Sequence, residues 1–408
     1  MATYAFTLIT DMGKSLLEVF FNFIRKPGSP PLEILSPSEC LIVIPCHNSA
    51  DCIIETLITL PPKYEVICVS NASTDSTFAM LKAAQLAFPN LTVLNTPEPG
   101  KIRAVILGVL QARNKGLSHF LLLDDDVLWP QENGKPSPLT VYDKSRCVTA
   151  LPVVPSKHDQ NWIRSVQAIE YQIMCASKRA QGNLGNVIMA SGAAGIFRVE
   201  SFLDVIQEHD GQHIGDDLQC SFLHHVKGMK IDFNSESVVA THPPDTFKAW
   251  WKQRSKRWEA SPILNLKWSM KIIFAPLGKR NPGWWIRGMA AYRNLVVVND
   301  LMRCLSFPLM LIYSPIIVIG VWLITYCCVL LKMLAFVIFF KNENYVRADL
   351  ATVIGVLTYP FYGVLMWLSR VRAIFQGIYL IYSLRGARRP LKFVKMLGAL
   401  EEEVLNHV

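Results

Sequence analysis

Charge is scarce in this 408-residue sequence, with 18% Asp, Glu, Lys and Arg against 51% apolar residues. Disorder needs the opposite balance, so a chain this apolar folds. Two stretches hold no charged side chain at all, Leu305 to Leu331 and Leu350 to Ser369. At about 1.5 Å per helical residue, each is long enough for a bilayer core about 30 Å thick, which argues against a purely soluble protein. The ten cysteines contain no C-x-x-C pair, and Cys327–Cys328 falls within an apolar run. Neither a zinc site nor a disulfide framework is expected, and the thiols suit a reducing compartment. There is no internal repeat or low-complexity tract. A signal peptide is not expected either, because Asp11 interrupts the first apolar run and no small-residue cleavage site follows.

What is present begins with membrane signals. Met333 to Phe340 and Ala373 to Leu384 are apolar but short, so two spans are expected and three or four stay open. Arg385, Arg388, Arg389, Lys392 and Lys395 follow the last apolar stretch, which sets that tail in the cytosol. Two spans then return the chain to its starting side and put residues 1–300 in the cytosol as well. Gly13 to Lys26 gathers Leu16, Leu17, Phe20, Phe21 and Ile24 on one helical face, which suits an interfacial helix or an amphipathic core helix. Between Lys248 and Arg303 six tryptophans lie among lysines and arginines, a mixture suited to the headgroup layer rather than to nucleic acid.

The first two-thirds alternate strand and helix patterns. Leu41–Ile44, Glu65–Val69, Leu91–Leu94 and His119–Leu123 are short apolar runs without polar alternation, as in strands buried on both faces. Ala50–Leu60, Ser76–Phe88 and Lys101–Asn114 are helical patterns between them. Such a series predicts a twisted, mostly parallel α/β sheet with ligands at the carboxyl ends of its strands. Those ends carry Pro45–Asn48, Ser70–Asp75 and Asp124–Asp126.

Two acidic clusters point to chemistry. Asp124 and Asp126 share a face of an extended segment, and a hard cation such as Mg²⁺ or Mn²⁺ gives two adjacent carboxylates a reason to coexist. Asp216-Asp217 precedes a helical pattern, where acids also favour the helix dipole on purely structural grounds.

These residues resemble the family 2 glycosyltransferases of GT-A fold, in the membrane-integrated branch with hyaluronan, chitin and cellulose synthases. The resemblance covers residues 40 to about 260. It rests on IPCHN (Ile44 to Asn48), the turn Val69 to Asp75, and Gly100-Lys101 with Ala104 and Gly108. Asp124 and Asp126 follow, then SGAAGIFR (Ser191 to Arg198), the pair Asp216-Asp217, and Arg257-Trp258. The family pattern Q-x-x-R-W is one residue too long here, so Arg254 falls at the Gln position counted back from Arg257. Ser70 and Asn71 stand where the family carries aspartates, which leaves the Asn71 amide oxygen to accept a base N–H. Ser49 and Ala50 replace acidic residues, and Ile106 replaces an Asn.

The resemblance implies a Rossmann-like GT-A domain in the cytosol plus C-terminal transmembrane helices, in a multi-pass integral membrane protein. It assigns metal binding to Asp124 and Asp126, and the general base to Asp217 with Asp216 as fallback. Pro45, Asn48, Asn71, Asp75, Lys101, Ser191, Gly192, Arg254, Arg257 and Trp258 would bind substrate. The expected division is 1–38 for the interfacial segment, 39–262 for the transferase domain, 263–304 for interfacial helices, 305–384 for the membrane region and 385–408 for the cytosolic tail. The expected activity is inverting transfer from a nucleotide-diphosphate sugar, a UDP-sugar by the family's pattern, to a growing polysaccharide. The alternatives are transfer of one sugar to a lipid and a degenerate sugar-binding module. A homo-oligomer stays open.

Overall fold

The computed structural model describes residues 13–18, 20–21, 31–156, 161–211, 214–276, 282–340 and 350–383. Ile24, Asp11, Lys279, Arg280 and the tail cations from Arg385 to Lys395 lie outside these residues. Seven strands form the central sheet: β1 (Cys40–Cys46), β2 (Val66–Asn71), β3 (Leu91–Thr96), β4 (His119–Leu123), β5 (Val148–Ala150), β6 (Ala194–Arg198) and β7 (Ile231–Phe233). Their order is β7-β5-β6-β4-β1-β2-β3. All neighbours run parallel except β6, which is antiparallel to both β4 and β5.

The apolar runs without alternation are explained by two cores. On β1, Leu41 and Val43 enter one core while Cys40, Ile42 and Ile44 enter the other. The first core is closed by α3 (Lys101–Asn114), α5 (Val199–Ile206) and α6 (Asp216–Val226). The second is closed by α1 (Ile53–Thr59) and α2 (Thr77–Ala84), with Tyr171 from α4 (Trp162–Asn183). Gly108 belongs to this packing. A Cβ there would lie 2.5 Å from Val43 Cγ1, so the α3 backbone approaches β1 only because that position is glycine.

The charge-free run from Leu305 to Leu331 is not one span. The chain breaks at Ser314 between α7 (Gly283–Tyr313) and α8 (Pro315–Phe340), because Pro315 offers no N–H to continue the first helix. The run is therefore divided between α7 and α8. Met333 to Phe340 extends α8, and Ala373 to Ser383 extends α9 (Leu350–Ser383). Two helical segments, Gly283–Tyr313 and Thr352–Ile381, have the length and composition to cross a membrane. Leu16, Leu17 and Phe20 of the N-terminal segment are exposed, while Phe21 meets Trp285 edge-on at 5.8 Å.

α9 lies along the sheet domain rather than leaving it. A Cβ on Gly355 would fall 2.8 Å from Ser165 O, and one on Gly377 would fall 3.0 Å from Ile263 Cγ2. Between these contacts Trp162 Nε1 donates to Thr358 Oγ1 at 2.8 Å, and Trp250 Nε1 donates to Tyr362 Oη at 3.0 Å. The Tyr362 hydroxyl donates to Glu170 Oε2 at 2.6 Å, and Arg254 Nη2 donates to the same oxygen at 2.6 Å. Arg370 clamps both Glu259 (2.8 Å) and Asp300 on α7 (2.6 Å).

These contacts make two predictions. Gly355→Leu would force α9 off the Ser165 carbonyl and cost about 1–3 kcal/mol, read as a lower unfolding temperature in detergent. Arg254→Met would leave Glu170 buried without its cation and cost about 3–5 kcal/mol, whereas Arg254→Met with Glu170→Leu would recover most of that loss. Equal losses in the single and double variants would show that the pair is not what joins α9 to the domain.

Candidate active site

Three strand ends meet at one edge of the sheet. The loops after β1 and β2 are clipped together by polar contacts. Asn48 Oδ1 accepts from Thr74 N at 2.8 Å, Ser49 N donates to Thr77 Oγ1 at 2.7 Å, and Ala50 N donates to Asp75 Oδ2 at 3.3 Å. Asn48 adopts φ +54°, a conformation that asparagine tolerates better than most residues. Asp75 caps this turn, and hydrogen bonds led by the Thr77 hydroxyl lower its carboxyl below the usual range. Pro45 is buried within β1, opposite Val69 of β2. Pro45, Asn48 and Asp75 thus shape the rim.

Asn71 occupies a different place from that expected. Its side chain is buried, and its Oδ1 accepts from Gly100 N at 2.7 Å. It therefore holds the start of α3, which carries Lys101.

β4 ends at Leu123, and Asp124–Asp126 form a turn, closed by Val127 N donating to Asp124 O at 3.2 Å, instead of the extended segment expected. Asp125 turns back toward the β1 loop, where its carboxylate accepts from His47 N at 3.1 Å and from the Ser49 hydroxyl. Thr56 Oγ1 donates to the Asp125 carbonyl at 2.8 Å. Asp124 points the other way, and Lys101 Nζ donates to its Oδ1 at 2.5 Å and to Gly192 O at 3.2 Å. Burial pushes the Asp126 carboxyl up to about 7, with Asp124 and Asp125 adding to the effect.

Antiparallel pairing delivers the second half of the site. Because β6 runs against β4, Ala194 sits opposite Leu123 and Asp124 N donates to Ala193 O at 2.9 Å. Ser191 and Gly192, which precede β6, therefore lie beside Asp124, which follows β4. A Cβ on Gly192 would be 3.1 Å from Asp217 Cβ and 3.2 Å from Asp217 Oδ2, so glycine lets this carboxylate approach. Gly215, at φ +71°, turns the chain into α6 where a Cβ would collide with Ser261.

The acidic pair opens α6. Asp217 N donates to Asp216 Oδ1 at 3.0 Å, and Leu218 N donates to Asp217 Oδ1 at 2.8 Å. Burial raises the Asp216 carboxyl to about 6; Lys101 opposes this shift and Asp217 adds to it. Burial works against the charge of Lys101, but Asp124, Asp216 and Asp217 together hold it above the usual lysine range. Lys101, Ser191, Gly192, Asp216 and Asp217 line one small cavity of about 30 Å³.

The extra residue before Arg257-Trp258 is absorbed by a π-helical turn over Arg254–Trp258, in which Glu259 N donates to Arg254 O at 3.1 Å. An i→i+5 bond takes one more residue per turn than an α-helix, so the insertion does not break the segment. Arg257 is exposed. The Arg254 guanidinium lies 3.7 Å over the Trp258 ring, which in turn is 5.8 Å from the Tyr171 ring. Arg254 itself is fully buried; its Nη2 is paired with Glu170, while its Nε and Nη1 are left without a hydrogen-bond partner among the described residues.

Sequence reasoning missed several residues here. Asp125, Glu259, Arg293 and the α4 neighbours Glu170 and Tyr171 come from four separate segments, and the charge of Asp126 reaches Tyr171 while those of Asp217 and Glu259 reach Arg293. The one available signal was the polar run His47-Asn48-Ser49 opposite three aspartates.

Among the described residues no group of three or more His, Cys, Asp or Glu side chains is arranged to hold a metal by itself. Asp124 and Asp126 nevertheless fit Mg²⁺ or Mn²⁺, which commonly takes one or two carboxylates and leaves the remaining positions to water and substrate phosphates. Burial, with Asp124 and Asp125 adding to it, disfavours the Asp126 charge, and a bound cation would offset that.

Comparison with known proteins agrees with this architecture. The chain is 26% identical over 257 residues to a poly-beta-1,6-N-acetyl-D-glucosamine synthase of Staphylococcus aureus (strain MSSA476), over 59% of this chain. It spans about 60% of that relative's length. The mannosyltransferase PcManGT from Pyrobaculum calidifontis, solved with GDP-Man and Mn²⁺, superposes with a TM-score of 0.54 at 15% identity. That superposition covers 92% of this chain and 98% of the other, and at such identity it speaks for the fold. The profile of the family described as glycosyltransferase like family 2 matches residues 37–260, more than half of the chain. With that match over the sheet and both acidic corners, the chain belongs to the glycosyltransferase like family 2.

Proposed function

We propose that this chain is a membrane-associated, divalent-metal-assisted inverting glycosyltransferase that moves a sugar from a nucleotide-diphosphate donor to an acceptor hydroxyl. The observation that carries the reading is the convergence of Lys101, Asp124 and Asp217 on Gly192, with Asp126 on the same strand end. A cation at a diphosphate and a carboxylate at an attacking hydroxyl are the two groups that such a displacement needs.

In this reading Asp124 and Asp126 hold Mg²⁺ or Mn²⁺, which when bound supplies Lewis-acid stabilisation of the leaving diphosphate. Lys101 adds a fixed positive charge at the same corner. Asp217 accepts the proton of the hydroxyl through Oδ2, because Oδ1 is already engaged by Leu218 N. The N-terminus of α6 favours the negative charge of the pair. The clipped loops of Asn48 and Asp75 wall the donor, and Arg257 and Trp258 face the acceptor side. One in-line displacement inverts the anomeric centre. The relative's name supports a polysaccharide as acceptor, through a match that spans only part of its length.

Release of nucleoside diphosphate from a panel of nucleotide sugars, with Mn²⁺ or Mg²⁺, tests this directly. One donor is expected to react, with loss on chelation and a fall of about 10²–10⁴-fold in Asp217→Asn. No release from any donor would leave a sugar-binding module. The pH profile gives a second check. With its carboxyl raised to about 6, Asp216 is ionised above that value and neutral below it. Transfer is therefore expected to fall as pH drops through about 6, and Asp216→Asn to flatten that limb. An acid limb unchanged in Asp216→Asn would remove Asp216 from the site.

A further inference from the structure

Lys101 is the first residue of α3, directly behind Gly100, whose N–H is held by the Asn71 side chain at 2.7 Å. Its root is therefore fixed at the carboxyl end of the sheet, and only its flexible four-carbon stem can move the charge. The head joins two segments: Nζ donates to Asp124 Oδ1 at 2.5 Å and to Gly192 O at 3.2 Å. An ammonium has three N–H donors, and the third has no protein partner among the described residues. Among those residues, no other lysine or arginine makes an ion pair with Asp124, Asp125, Asp126, Asp216 or Asp217. The Lys101 and Asp124 side chains keep 32% and 26% of their surface exposed, so an incoming ion can reach the pair.

We propose that Lys101 is a resident counter-ion that competes with the divalent cation for Asp124 and yields only when a diphosphate arrives. Metal and nucleotide then bind as one linked unit, each weakly alone and tightly together; the assignment rests on the transferase reading above. Like charges decide the donor-free state. A divalent cation on Asp124 and Asp126 would lie beside an ammonium that already holds Asp124 Oδ1, and two cations on one carboxylate repel. Asp126 by itself is a poor site, because a small hard cation relies on substrate phosphates to complete so sparse a set of protein ligands. The donor-free protein therefore holds Mg²⁺ or Mn²⁺ weakly.

A diphosphate reverses the sign of the interaction. Its oxygens bring negative charge between the two cations, so each of them attracts what the other has bound. The unpartnered N–H of Lys101 can take a phosphate oxygen, and its stem lets the head turn from Asp124 to that group while the charge stays at the corner. Asp124 is thereby released to the metal when the leaving group is in place. The linkage is reciprocal: the factor by which nucleotide tightens the metal equals the factor by which metal tightens the nucleotide. Lys101 also ties Asp124 to Gly192, and a bridge that is only structural would behave differently. Losing a bridge loosens the site and weakens every ligand, whereas losing a competing cation tightens the metal.

Mn²⁺ binding to the full-length protein in detergent, followed by loss of the free-ion paramagnetic resonance signal, reads this without turnover. Lys101→Gln keeps an N–H donor for Asp124 and Gly192 but removes the charge, Lys101→Met removes both, and Lys101→Arg keeps the charge. With Mn²⁺ alone, Lys101→Gln and Lys101→Met are expected to bind at least about tenfold more tightly than the wild type, within the usual range of coupling between sites. Lys101→Arg is expected to stay near the wild type, and Asp124→Asn added to Lys101→Gln to abolish the gain. Affinity for UDP, with GDP in a parallel arm, is then measured by equilibrium dialysis with and without Mn²⁺. The tightening by Mn²⁺ is expected to be at least about tenfold smaller in Lys101→Gln than in the wild type. Mn²⁺ bound no more tightly by Lys101→Gln and Lys101→Met would overturn the counter-ion and leave a structural bridge. Equal tightening by Mn²⁺ in the wild type and Lys101→Gln would overturn the linkage while leaving the transferase reading intact. Binding of neither UDP nor GDP by the wild type with Mn²⁺ would instead overturn the transferase reading, and the linkage with it.

Discussion

The ladder between β4 and β6 runs antiparallel, and the site follows from that direction. In a wholly parallel sheet the segment before a strand lies at the opposite edge from the segment after its neighbour. Here Ser191-Gly192, before β6, meets Asp124, after β4, and the Asp124 N–H to Ala193 O bond continues the ladder into the site. Lys101 then bridges Asp124 and the Gly192 carbonyl, and Gly192 admits Asp217. Two acidic clusters more than ninety residues apart become two corners of one pocket.

Electrostatics sets the next constraint. Five carboxylates from two elements share a partly buried corner, and Lys101 is the lysine that pairs directly with one of them. Burial raises Asp126 to about 7 and Asp216 to about 6, because the corner disfavours their charged forms. The glycosyltransferase assignment itself rests on the family match over residues 37–260, which includes this corner.

The long apolar helices are not an appendage to this domain. Glu170 takes hydrogen bonds from Arg254 and Tyr362, and Arg370 holds the residue after Trp258, so α9 is built into the domain beside Trp258. Removing Arg254 or Arg370 leaves a buried carboxylate without its cation, which couples the position of α9 to that of Trp258.

Much of this was legible in the residues alone. Short apolar runs ending in Asn48, Asp75 and Asp124 marked the strands and the edge where chemistry sits, because the two-residue period and burial on both faces are local properties. The turn that carries Asp124–Asp126, and the places of Arg254, Asn71 and the run from Leu305 to Leu331, were not legible there. Spacing assigned Arg254 to a ligand, but a π-helical turn and Glu170, 84 residues away, bury it. The Asn71 amide oxygen accepts from Gly100 N, 29 residues on, a contact that no local pattern announces. Hydropathy counted one span where Ser314-Pro315 interrupts the helix. Local pattern thus determined the strands, their face assignments and the acidic strand end, since those depend on neighbours in sequence. Only the tertiary structure decided which polar groups were already satisfied, because a hydrogen-bond partner can come from any distance along the chain.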